Sequence, residues 1–114
     1  MSFNRGDVVL VPFPFTDRTA QKQRPALVIS SNSFNASFAD IILVGITSQI
    51  PLNLSAGEYR LTSNEQAMAG LPRPSIVKAA KVVTLSQALI RKTIGRLPAQ
   101  TVDQIAAKLE AAIK

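Results

Sequence analysis

Residues 40–48, Asp-Ile-Ile-Leu-Val-Gly-Ile-Thr-Ser, form the segment that most restricts what this chain can become. The run is apolar, rich in β-branched side chains and long enough to cross a small barrel, so it reads as a strand, with Gly45 marking a bulge or bend. Shorter runs of the same kind surround it. Val8–Val11 ends near Pro12, 26–30 follows Arg24-Pro25, and 75–78 with 82–85 reads as one bent strand or two short ones. Residues 58–61 alternate as an exposed strand would, and 92–97 offers a last strand.

The intervening segments are read from their punctuation. Gly6-Asp7 is a turn and strand entry, 15–23 a polar loop, 31–39 a connection, and 51–57 a turn. A turn of helix fits 63–70 and another 86–90, whereas Leu71-Pro72-Arg73-Pro74 cannot be regular in its interior. In the tail the period changes: Val102, Ile105, Leu109 and Ile113 fall three, four and four apart, one face of a helix that would close over the sheet. No repeat or second domain is visible, so 1–114 is read as one domain, mainly β, a small, strongly bent antiparallel barrel with a C-terminal helix.

Composition narrows the chemistry. The 114 residues contain no Cys and no His, which removes disulfides, thiolates and the commonest acid-base group and metal ligand. The seven carboxylates are scattered, so no metal or other cofactor is expected. With five Phe, one Tyr and no Trp, a stacking platform for many bases is not expected either. Phe13 and Phe15, set between prolines, are read as packing groups before base-stacking ones. Net charge is +6, and between Gln66 and Val102 lie Arg73, Lys78, Lys81, Arg91, Lys92 and Arg96 without one Asp or Glu. Such a surface attracts a polyanion, nucleic acid above all, or simply keeps a small protein soluble. No stretch has the length of a membrane span and the first residues lack a signal-peptide core, so a soluble, cytoplasmic protein is expected.

Arg24 at the mouth of one buried strand, and Thr47-Ser48-Gln49 at the end of the next, form a candidate phosphate site. A guanidinium forks onto phosphoryl oxygens and a hydroxyl donates or accepts beside it. Considered singly, a strand-end Thr is more often chosen for packing, Ser48 and Gln49 can merely cap a strand, and Lys78 and Lys81 can be edge lysines that deter pairing. Asp17, in the polar loop, is a further carboxylate to follow, although a loop Asp more commonly makes a turn.

Taken in order, Arg5-Gly6-Asp7-Val8-Val9-Leu10-Val11, Gln23-Arg24-Pro25-Ala26-Leu27-Val28-Ile29-Ser30, Ile46-Thr47-Ser48-Gln49, Thr84-Leu85 and Ile94-Gly95-Arg96-Leu97 resemble the PemK/MazF family of bacterial toxins over nearly the whole chain. The resemblance implies an SH3-like barrel of the CcdB/Kid/MazF type, a homodimer, and metal-independent cleavage of single-stranded RNA by 2′-hydroxyl attack on the adjacent phosphate. It also implies a cognate antitoxin with an acidic, disordered tail. Arg24 and Thr47 match the family's catalytic arginine and threonine; Ser48, Gln49, Lys78, Lys81 and Asp17 are assigned to RNA. Where some members carry an Arg and an Asp, this chain has Lys78 and Ala80, and a first-loop His used by others is absent. A catalytically silent RNA-binding module of the same fold is therefore the alternative, with a gyrase poison behind it.

Overall fold

The computed structural model describes residues 3–12 and 23–114. Six strands, β1 (Asp7–Val11), β2 (Arg24–Val28), β3 (Asp40–Thr47), β4 (Glu58–Arg60), β5 (Ile76–Ser86) and β6 (Lys92–Arg96), form one antiparallel sheet in the order β4-β5-β3-β2-β1-β6. Three α-helices accompany it: α1 (Asn32–Ser37), α2 (Ser63–Met68) and α3 (Ala99–Ile113).

The central strands carry apolar residues in consecutive positions because both faces of the sheet are covered. Val8, Leu27, Val44 and Ile46 belong to a core capped by Val102 and Ile105 of α3, while Val9, Val11, Ala26, Val28, Ile41 and Leu43 pack together on the opposite face. Side chains alternate along a strand, so a run with no polar gap can fill two cores at once.

β5 is one strand, sharply bent. Val44 pairs with Val82 but its neighbour Gly45 pairs with Lys78, so Ala79, Ala80 and Lys81 have no partners on β3. An odd number of extra residues reverses which face each position serves. Val77 and Ala79 accordingly face the α3 core, whereas Val83 faces the other. The bulge expected from Gly45 is present: the register breaks between Val44 and Gly45.

Among the described residues no ladder joins β4 to β6; the sheet is sealed instead through the end of α2. Gly70 has φ +72°, and a Cβ there would lie inside contact distance of the Ile94 carbonyl on β6. A Cβ on Gly95 would likewise strike the Ala69 carbonyl. Two glycines thus let the backbone after α2 meet the backbone of β6.

Three local expectations are corrected. The connection 31–39 contains α1, capped by Ser31, whose Oγ accepts from the Phe34 N–H at 3.1 Å. At six residues it is too short for a helical period to show in the sequence. β2 starts two residues early, at Arg24: it pairs with β1 from that residue but with β3 only from Ala26, the first position after Pro25 with an N–H to give. In α3, Val102 and Ile105 are buried and Leu109 packs against them, but Ile113 is 74% exposed because the helix runs on past the core. The expected loop 15–23 falls almost wholly outside the described residues, together with Phe13 and Phe15.

Candidate active site

The β2–β3 ladder ends where Ala26 stands opposite Gly45; Arg24 lies two residues before Ala26 and Thr47 two residues after Gly45, and both line one cleft. Each is two residues from the Ala26–Gly45 pair, so strand alternation sends both side chains to the face that Ala26 serves. Arg24 is paired with the buried Val11 of β1, which fixes its backbone on that side. The absent side chain of Gly45 leaves that face open beside Arg24 and Thr47.

Arg24 and Thr47 belong to the rim of a cleft of about 560 Å³, with Ser48 and Gln49 alongside and Lys78 and Lys81 on β5. Leu10, Ile46, Leu71 and Ile94 give it apolar walls. All the expected site residues except Asp17 therefore meet in one place; Asp17 lies outside the described residues. Lys78 and Lys81, three apart on a strand, would face opposite ways under strict alternation. The break in β5 pairing lies between them and brings both to the cleft.

Thr47 presents its hydroxyl in a defined way. Its Oγ1 accepts the Gln49 N–H at 3.1 Å, which fixes the oxygen and leaves the hydroxyl proton available for donation. Ser48 and Gln49 are exposed beyond the end of β3.

Arg73 is the cleft residue that the sequence did not single out for the site. Buried Leu71 and Ser75 stand on either side of exposed Pro72-Arg73-Pro74. Leu71 is held at both backbone groups: its N–H donates to Gln66 O, and its carbonyl accepts from Gln66 Nε2, each at 3.1 Å. Ser75 Oγ donates to the Arg73 carbonyl at 2.9 Å. A short irregular segment pinned at both ends presents the guanidinium across the cleft. The proline on each side was the available signal, because it denies the segment regular structure and pushes it outward.

Electrostatically the cleft is one-sided. Arg24, Arg73, Lys78 and Lys81 line it, and no carboxylate does so among the described residues. Acidic groups are engaged elsewhere: Asp7 faces Arg96 at 3.7 Å, and Asp103 pairs with Arg5 at 2.9 Å. Glu58 stands behind Lys78, its Oε2 3.9 Å from Nζ. Cations gathered at the wall of a concave site raise the local concentration of a polyanion.

An antiparallel sheet bent around a helix-capped core, with a cationic cleft across the ends of β2, β3 and β5, defines a small nucleic-acid-directed β domain. Residues 4–113 match the family model described as PemK-like, MazF-like toxin of type II toxin-antitoxin system, and the chain belongs to that family. It is 34% identical over 85 residues to endoribonuclease MazF6 of Mycobacterium tuberculosis, an alignment covering 74% of this chain and 72% of the relative. Endoribonuclease MazF2 of Mycobacterium bovis is equally similar over the same extent. Among solved structures, a mycobacterial endoribonuclease in complex with its cognate antitoxin superposes with a TM-score of 0.78 at 20% identity, covering 98% of this chain and 95% of that one. A MazE-MazF structure from Deinococcus radiodurans gives 0.76 at 20% identity, covering 99% and 96%. These likenesses bear out the expected fold. Among the described residues no helix is long and apolar enough to cross a membrane.

Proposed function

We propose that this protein is the toxin of a type II toxin-antitoxin system, a metal-independent endoribonuclease that cuts single-stranded RNA at preferred sequences. The observation that carries the reading is that Arg24, at the start of β2, and Thr47, at the end of β3, line one cleft whose charged lining is entirely cationic among the described residues. In this reading the ribose 2′-oxygen attacks the adjacent phosphorus as the bond to the 5′-oxygen breaks; the 2′-hydroxyl gives its proton to solvent and the departing 5′-oxygen takes one from solvent, leaving a 2′,3′-cyclic phosphate and a 5′-hydroxyl. Arg24 stabilises the charge that grows on the phosphoryl oxygens, since a planar fork spans two of them where an ammonium reaches one. Thr47 donates its free hydroxyl proton to a phosphoryl oxygen. Ser48, Gln49, Lys78, Lys81 and Arg73 hold the flanking chain, and Asp17 is a further contact or base.

The same cleft suits an acidic, disordered antitoxin tail, which makes the same electrostatic demand as RNA. A homodimer acting in the cytoplasm completes the proposal. The test is incubation with a long single-stranded RNA in EDTA, followed by analysis of fragment ends. Discrete cuts with cyclic-phosphate ends are expected, with Arg24→Ala slower by about 100-fold or more, the usual effect of removing a transition-state donor. RNA that is bound yet left intact would overturn the enzymatic reading and leave a binding module of the same fold.

A further inference from the structure

We propose that Glu58 is a positioning residue of this site, a carboxylate that acts through Lys78; the assignment rests on the cleft being the RNA-cleaving site. Glu58 on β4 stands directly opposite Lys78 on β5, so the two side chains share a face. Its two oxygens have separate tasks. Oε1 accepts the Ser55 N–H at 2.8 Å, which fixes the carboxylate, and Oε2 faces Lys78 Nζ at 3.9 Å. The Glu58 side chain is 14% exposed, so its field on Lys78 is less screened than that of a surface acid.

The separation matters. At 3.9 Å the pair exceeds the length of about 2.8 Å typical of a charge-assisted hydrogen bond. The carboxylate therefore draws the ammonium toward one place without consuming its N–H donors, which stay available to a phosphate in the cleft. Lys78 shares that cleft with Arg24, Arg73 and Lys81, whose like charges repel it toward solvent. A flexible four-carbon stem cannot resist this alone, and Glu58 opposes it from behind.

No other described carboxylate is placed to do this. Asp7, Asp103 and Glu65 are engaged with Arg96, with Arg5, and with Tyr59 and Thr101. Asp40 sits opposite Ser86 at the far end of β3, and Glu110 lies on α3. Ala80, two residues along β5 from Lys78, offers no acid of its own.

The experiment measures kcat and KM on a short RNA spanning a mapped cut site, for wild type, Glu58→Gln, Lys78→Met and the double variant, with Tm for each. Glu58→Gln keeps an acceptor for Ser55, and is expected to lower kcat by about tenfold, KM changing less than about twofold. In the Lys78→Met background the same change should cost nothing further, the signature of action through Lys78. An exchanged pair, Glu58→Lys with Lys78→Glu, keeps the cross-strand attraction while reversing the charge in the cleft; wild-type Tm without wild-type cleavage is expected. Wild-type kcat in Glu58→Gln, an equal loss in both backgrounds, or full activity in the exchanged pair would overturn the assignment alone. No cleavage by wild type would overturn the nuclease reading and this assignment together.

Discussion

At Thr47, one oxygen has been given two tasks that pull in the same direction. Its lone pair receives the Gln49 N–H at 3.1 Å, which holds the hydroxyl at the strand end, and its proton stays free for a donor role in the cleft. Thr47→Val retains shape and strand propensity and removes only the hydroxyl. We predict a fall in kcat of about tenfold or more, with Tm lowered by no more than a few degrees, since the lost bond contributes about 1 kcal/mol. Single-turnover cleavage with a paired melting curve checks both halves. At this scale the sequence was informative about Arg24 and Thr47 because one opens and the other ends an apolar run. It was silent on Glu58, whose relation to Lys78 exists only across two strands twenty residues apart.

Among the elements, α2 is tied to β4 and α3 through one carboxylate. Glu65 Oε2 accepts from Tyr59 Oη at 2.9 Å and from Thr101 Oγ1 at 2.8 Å, while Oε1 accepts the Thr62 N–H at 2.9 Å in a capping box. Burial pushes the Glu65 carboxyl upward, but bonds from the Thr62 backbone, Thr101 and Tyr59 outweigh it and hold the group below its ordinary 4.5. A depressed carboxyl stabilises the fold above its unfolded pKa and loses that contribution as pH falls through the folded one. Glu65→Gln should therefore be less stable than wild type at pH 7, by about 1 kcal/mol as for a lost cap. The gap should close as pH drops below 4.5, a trend that denaturant melts across pH would reveal. A gap constant with pH would sink the account. The tie matters to the site because α2 leads directly into the Leu71–Pro74 segment that presents Arg73.

Taken as a whole, the molecule carries a net charge of +6, and four of its cations line the cleft. Binding to single strands then follows counterion release, with a slope of log K against log salt of about −0.7 for each phosphate neutralised. Four cleft cations set an expected slope near −3 by the same rule, written as about four contacts. Arg73→Ala should make the slope shallower by about 0.7 and weaken RNAs of every sequence alike, because phosphate contacts carry no base information. Binding isotherms between low and moderate salt measure it; an unchanged slope would remove Arg73 from the RNA path.

Much of this architecture was written locally. Strand positions, the α3 period, the break at Gly45, and the candidates Arg24 and Thr47 depend on side-chain type and spacing within a few residues, and such signals are visible in one sequence. What local spacing cannot contain is register. The meeting of Arg24 and Thr47 at one cleft, the Ala79–Ala80–Lys81 stretch without partners on β3 that turns Lys78 and Lys81 the same way, the contact of Glu58 with Lys78, and the close approach of Gly70 and Gly95 to neighbouring backbone were decided by contacts between distant segments. A shift of one residue in that pairing would send each of these side chains to the opposite face, and only the simultaneous burial of two cores selects the register that assembles the cleft.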